Sequence, residues 1–190
     1  MSWKGLQFSL LRHGETDGGA RFCGSTDVAL TDKGWQQMKV SMNDVSPGWD
    51  RIISSPLKRC AAFARYFAQQ YAIPLSFDER IKEMHFGIWE GRSAEELMAE
   101  DADGLTRFWQ DPDRYPPQEA ERLSSFQARV LAAWNGFIES YGEQRILLVT
   151  HGGVIRVLLC HLQEKPIKQL LEIEVKHGSL HILNSRGQSS

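Results

Sequence analysis

The sequence predicts an α/β fold: a mostly parallel central sheet flanked by helices, with a small helical cap insertion. Three observations predict it. Short apolar runs at residues 7–11, 51–54, 74–77, 146–150 and 180–184 alternate with stretches of helical period, the pattern of a sheet covered on both faces. Two of those runs end in His-Gly, at His13-Gly14 and His151-Gly152. One stretch, residues 90–122, interrupts the alternation with acids and with Pro112, Pro116 and Pro117. At 190 residues the chain has the length of a single domain, because single cores usually stop growing near ~250 residues.

Each element has a local reason. Thr31 stands at an N-cap position, and Trp35, Met38, Met42 and Val45 follow three or four apart on one helix face. Ser55-Pro56 is expected to open the next helix as capping residue and first-turn proline, with Leu57, Ala61, Ala64, Phe67 and Tyr71 as its buried stripe. Residues 90–122 are read as short helical pieces carrying Phe108, Trp109 and Tyr115, placed over the carboxyl edge of the sheet as a cap. Leu123, Phe126, Val130, Trp134, Phe137 and Tyr141 mark one face of a long helix that feeds the run at 146–150. Gly152-Gly153 opens a further helix to Leu162, and residues 185–190 read as a fraying tail.

Charge and cysteine content exclude several function classes. Lys plus Arg number 22 and Asp plus Glu 24, a formal net charge of −2. Without a basic excess neither nucleic acid nor an anionic membrane is an expected partner, and an anionic small substrate would need a local basic pocket. The first residues lack a secretory apolar segment and the run at 6–11 is too short to span a bilayer, so the expectation is a cytoplasmic protein. Cys23, Cys60 and Cys160 are odd in number and show no CxxC spacing, which argues for reduced thiols rather than a disulfide framework or a thiolate metal site.

If both His-Gly runs are central parallel strands, His13 and His151 share the carboxyl edge of one sheet, where open α/β folds bind ligands. Arg12 adds a planar fork suited to phosphate oxygens, and the amides that begin the helix at Gly152 offer an anion site beside His151. Arg59, early in the helix after a strand end, can point to the same edge. Glu83 lies in a loop rich in aromatics and glycine, 83–91; a carboxyl held among Phe86 and Trp89 would lose solvation, which favours the protonated form that a general acid needs. His85 has no HxH or HExxH partner, so no metal site is expected. Two arginines, two histidines and one carboxyl suit a dianionic phosphoryl group, an imidazole nucleophile and an acid for the leaving oxygen. The spacing leaves open which histidine attacks.

Five ordered motifs then carry a resemblance: Leu11-Arg12-His13-Gly14-Glu15-Thr16, the run from Cys23 to Gly34, Ser54-Ser55-Pro56-Leu57-Lys58-Arg59, the loop from Glu83 to Gly91, and Thr150-His151-Gly152-Gly153. In this order they resemble the histidine phosphatase, or phosphoglycerate mutase-like, superfamily across nearly the whole chain. The resemblance implies that His13 is the nucleophile, forming a phosphohistidine, and that Arg12, Arg59, His151 and Gly152 surround the phosphoryl group. It implies that Glu83 protonates the leaving alkoxide and then activates water, with no cofactor and no metal. Thr16, Cys23, Gly24, Ser25, Glu121 and Arg122 follow as candidate substrate contacts. Within the superfamily residues 18–27 are most similar to α-ribazole 5'-phosphate phosphatases of cobalamin nucleotide-loop assembly; mutases usually carry Asn where Gly19 stands. Two departures accompany this. Pro117-Gln118-Glu119-Ala120-Glu121-Arg122 replaces a Pro-Gly-Gly-Glu-Ser segment common in relatives, and Phe63 replaces a small polar residue. A mutase or sugar-phosphate phosphatase, and a catalytically lapsed phosphate-ester-binding scaffold, are the alternatives.

Overall fold

The register of four parallel strands decides where the chemistry-bearing residues fall. The computed structural model describes residues 7–43 and 48–183. The strands are β1 (Gln7–Arg12), β2 (Arg51–Ser54), β3 (Leu75–Phe77), β4 (Arg145–Thr150) and β5 (Leu180–Leu183). The helices are α1 (Asp32–Asn43), α2 (Lys58–Tyr71), α3 (Ala94–Gln110), α4 (Leu123–Tyr141) and α5 (Gly152–Leu162). The sheet order is β3-β2-β4-β1-β5. The first four pair parallel and β5 returns antiparallel to β1, so the expected mostly parallel sheet is present.

The strands read as continuous apolar runs because helices cover both sheet faces. Phe8 and Leu10 of β1, Ile53 of β2, and Ile146 and Leu148 of β4 join one core with α4 and α5. Their alternates Leu11, Ile52, Leu147 and Val149 join the other core with α1 and α2. The crossover helices therefore change faces around β4, and a crevice opens there at the carboxyl ends.

Local signals held in part. Thr31 Oγ1 accepts the Gly34 amide at 3.0 Å as the N-cap of α1. Val45 and Asn184, with the segment 185–190, lie outside the described residues. The helix after β2 begins later than Ser55-Pro56 suggests: Leu57 is the N-cap of α2 and Lys58 its first residue. The Ser55 hydroxyl accepts the Leu57 amide at 3.4 Å and is also engaged with a histidine, described below, while Tyr71, expected in the buried stripe, is exposed. The segment expected as short helical pieces holds two of them, run together as α3 and separated by the non-helical backbone of Asp101, the first opened by a Ser93–Glu96 capping box. Leu97, Leu105 and Phe108 of α3 pack into the first core. Phe63, the departure noted in sequence, is fully buried in the second. Among the described residues no helix is long and apolar enough to cross a membrane.

Gly14 follows His13, the residue after β1, and has a packing reason. A Cβ there would collide with the backbone of Gly34, two positions into α1 from Asp32, so the two glycines let α1 close against the end of β1.

Candidate active site

Strand pairing brings three side chains to one edge. Arg12 pairs with Thr150 and Ser54 with Val149. The residue after each strand continues the ladder: the His13 amide donates to Thr150 O at 3.0 Å and the Ser55 amide to Val149 O at 2.9 Å. His13, His151 and Ser55 thus stand side by side at the ends of β1, β4 and β2, and the two imidazole centroids lie 5.2 Å apart.

His13 is buried, and its Nδ1 lies 2.8 Å from the Gly14 carbonyl oxygen. A carbonyl only accepts, so Nδ1 carries the hydrogen and Nε2 keeps a lone pair in the neutral ring. Burial first, then the charges of Arg59 and Arg12, hold His13 well below the ordinary histidine value. His151 is fully buried and both its nitrogens are engaged. Arg59 Nε donates to Nδ1 at 3.2 Å, which leaves the hydrogen on Nε2 to be donated to Ser55 Oγ at 2.8 Å. His151 therefore stands behind His13 and does not line the cleft.

Arg59 is only 1 % exposed. Its Nη1 donates to Thr26 O, and its Nη2 to Cys23 O and Gly24 O, at 2.7–3.0 Å. Among the described residues no carboxylate pairs with it. The carbonyls that hold it are fixed by Glu90, whose carboxylate accepts the amides of Gly24, Ser25, Thr26 and Phe86. Burial would raise Glu90, but those amides and the Thr26 hydroxyl outweigh it and hold the group below the usual carboxylate range. Arg12 donates through Nη1 to Val175 O and through Nη2 to His177 Nε2 at 2.9 Å. Its Nε is buried and has no partner among the described residues. The Glu83 carboxylate accepts the Gly153 amide at 3.0 Å and the Met84 amide at 3.1 Å. Trp89, expected beside Glu83, packs instead on Phe22 and Phe108.

These groups surround a cleft of about 180 Å³ lined by Arg12, His13, Thr16, Cys23, Arg59 and Glu83, with His177 at its rim. Gly152 is the first residue of α5, with Arg12 Nε over its Cα. Gly24 contributes backbone to Arg59 and Glu90 rather than lining the cleft. Ser25 turns away, its Oγ 2.7 Å from His85 Nδ1. Glu121 is held by Arg129 at 2.6 Å, and Arg122 is an exposed N-cap residue of α4 away from the cleft. A second, apolar pocket of about 360 Å³ adjoins it, lined by Phe22, Phe86, Phe108, Trp109, Leu123 and Phe126 among others, and Glu83, Phe22 and Phe86 line both spaces. Tyr115 is elsewhere, its ring beside the Arg107 and Arg114 guanidinium groups. Sequence reading gave no site role to Ser55, Glu90, Phe22 or His177: Ser55 was absorbed into a capping signal, Phe22 and Glu90 lie inside the runs 18–27 and 83–91 without being singled out, and His177 carries no motif. Among the described residues no group of three or more His, Cys, Asp or Glu is placed to hold a metal ion.

Residues 8–190 match the histidine phosphatase superfamily (branch 1). The chain belongs to that family. This histidine phosphatase is 29 % identical over 198 residues to the adenosylcobalamin/alpha-ribazole phosphatase of Escherichia coli K12, covering 95 % of this chain and 97 % of that one. It is 35 % identical over 150 residues to the "probable phosphoglycerate mutase GpmB" of Salmonella arizonae, covering 77 % and 70 %. Among solved structures, Bacillus stearothermophilus YhfR superposes with a TM-score of 0.86 at 31 % identity, covering 94 % of this chain and 91 % of the other. The histidine phosphatase is a phosphoric monoester hydrolase acting on a small phosphorylated substrate.

The buried imidazoles give the phosphatase an acid-sensitive stability. His13 and His151 lie well below 6.5, and His177 is brought down to about 4 by loss of solvent on the ring's inner face and by Arg12. Between those values and about 6.5 the unfolded chain binds protons that the folded chain does not, so stability falls as pH drops through that window. Urea denaturation should give a plateau at pH 7–8 and a declining unfolding free energy towards pH 5; equal stability at pH 7.5 and 5 would contradict it.

Proposed function

We propose that this histidine phosphatase hydrolyses α-ribazole 5'-phosphate to α-ribazole, a step in cobalamin nucleotide-loop assembly, through a phosphohistidine on His13 and without a metal. His13 Nε2 attacks phosphorus while the bond to the ester oxygen breaks, and Glu83 gives its proton to the leaving alkoxide. Water then attacks phosphorus, Glu83 takes a proton from it, and the bond to Nε2 breaks to return neutral His13. Arg12, Arg59 and the first turn of α5 at Gly152 hold the non-bridging oxygens. His151, locked between Arg59 and Ser55, keeps Arg59 in place and backs the nucleophile. Thr16 and Cys23 form the cleft wall. In this reading residues 90–122 act as a cap within one catalytic domain, and the protein works in the cytoplasm.

The observation that carries the leaving-group assignment is the apolar pocket that meets the phosphate cleft at Glu83. A benzimidazole riboside has a flat apolar ring for the side of that space formed by Phe22, Phe86, Phe108 and Phe126, while Arg156 is, among the described residues, the one cationic group on its wall and would be the partner of a phosphoglycerate carboxylate. The similarity to alpha-ribazole phosphatases supports the same assignment. The mutase reading keeps one support, the 35 % identity to the Salmonella protein.

The test is phosphate release, with chelator present, from α-ribazole 5'-phosphate, 3-phosphoglycerate and nucleoside monophosphates. A strong preference for the first is expected, and interconversion of 2- and 3-phosphoglycerate at a comparable rate would replace the assignment with the mutase. Trp109, 45 % exposed at the pocket wall, gives a second check. Trp109→Ala should raise KM about tenfold for α-ribazole 5'-phosphate, the size of a lost ring stack, and leave KM for a small aliphatic phosphate ester unchanged.

A further inference from the structure

Loop 173–179, between α5 and β5, is fastened to the strand end that carries the nucleophile. The Arg12 amide donates to Ser179 O and the Gly178 amide to His13 O, both at 3.0 Å. Arg12 Nη1 reaches Val175 O and Arg156 Nε reaches Ile173 O. Gly178 has φ +71, and a Cβ there would strike Gln37, so the turn after His177 is built for glycine. His177 is therefore held in place although its outer edge is exposed, with its ring 5.6 Å from that of His13.

An arginine can only donate, so the lone pair of His177 Nε2 must accept the Arg12 Nη2 hydrogen. With Nη1 and Nη2 both anchored to this loop, the orientation of the guanidinium is fixed, and the remaining buried donor, Nε, lies over Gly152 at the start of α5. A flexible arginine would lose rotamer freedom each time it bound an anion; one held beforehand does not.

We propose that His177 is a positioning residue for substrate binding: its Nε2 lone pair holds the Arg12 guanidinium in the orientation that receives the phosphoryl group. This rests on Arg12 as a phosphoryl ligand and is independent of the leaving group. The ring itself touches no reacting atom. What the site needs from it is an acceptor at one point in space, and a glutamine carbonyl can stand where Nε2 stands.

The experiment compares His177→Leu and His177→Gln with the parent, using p-nitrophenyl phosphate for kcat and KM and orthovanadate for Ki. Because His177 lies at the rim, urea midpoints at pH 7.5, above the window in which its protonation matters, should agree for all three. With His177→Leu, KM and the vanadate Ki should rise about 5- to 10-fold while kcat changes by less than about twofold, as expected for a charged hydrogen bond partly replaced by water. His177→Gln should restore both to within about twofold. Unchanged constants in His177→Leu, or equal impairment of the two variants, would overturn the proposal, the latter by showing that the ring and not the acceptor matters. A parent insensitive to vanadate would instead overturn the phosphoryl-site reading on which this one stands.

Discussion

His13→Ala should lower kcat by about 10⁴-fold or more on every phosphomonoester the protein cleaves, because it removes the group that forms the covalent intermediate. No neighbour can take over. His177 Nε2 is occupied by Arg12, His151 has both nitrogens engaged, and burial pushes the Cys23 thiol up, which keeps it protonated at neutral pH. Parent protein mixed with labelled substrate and quenched in alkali should retain acid-labile, base-stable label; the variant should retain none. Turnover in His13→Ala within about tenfold of the parent, or label surviving in it, would remove the phosphohistidine from the mechanism.

The second large effect is expected at Arg59. Among the described residues its guanidinium is the only donor to the carbonyls of Cys23 and Gly24, and with Thr26 O and His151 Nδ1 it joins loop 23–26 to the end of β4. Arg59→Met keeps much of the volume and leaves the Cys23 and Gly24 carbonyls without that donor, each costing about 1–3 kcal/mol if it stays buried, while Thr26 O keeps the Val28 amide. A stability loss of about 3 kcal/mol or more is expected, together with a fall in kcat/KM of about 10³-fold from the lost phosphoryl contact. Arg59→Lys should recover little of either, since a single ammonium cannot span four acceptors. Urea denaturation and steady-state kinetics measure the two effects; a Met variant as stable and active as the parent would show that the fork is dispensable.

Much of this arrangement could be read from the chain. The two His-Gly runs lie at adjacent strand ends because β1 and β4 pair in parallel, and the glycines at 152–153 open α5 as expected. Ser55 was legible only as a cap, because Ser-Pro before a helical stripe is a strong local signal and its second partner, His151, lies 96 residues away. His177 had no signal at all, since its role depends on an antiparallel return strand that sets loop 173–179 against Arg12. Arg122 followed the reverse course: a segment alignment brought it to the cleft, yet the first turn of α4 exposes it. Tyr71 satisfies the helical period, but α2 outruns the sheet it covers and its last turn meets solvent.

The charge balance of the cleft has a consequence for the order in which products depart. Among the described residues, Arg12, Arg59 and the Glu96-paired Arg21 bring three guanidinium charges to a cleft whose one lining carboxylate is Glu83, while the adjoining pocket is lined chiefly by aromatic and aliphatic carbon. In the proposed reaction the alcohol is freed when His13 takes the phosphoryl group, before water attacks, whereas orthophosphate forms last and carries the same kind of charge that drew the ester in. By that mechanism the alcohol is expected to leave first and phosphate last. Orthophosphate should then compete with the ester for the free protein, which steady-state inhibition by added phosphate would measure.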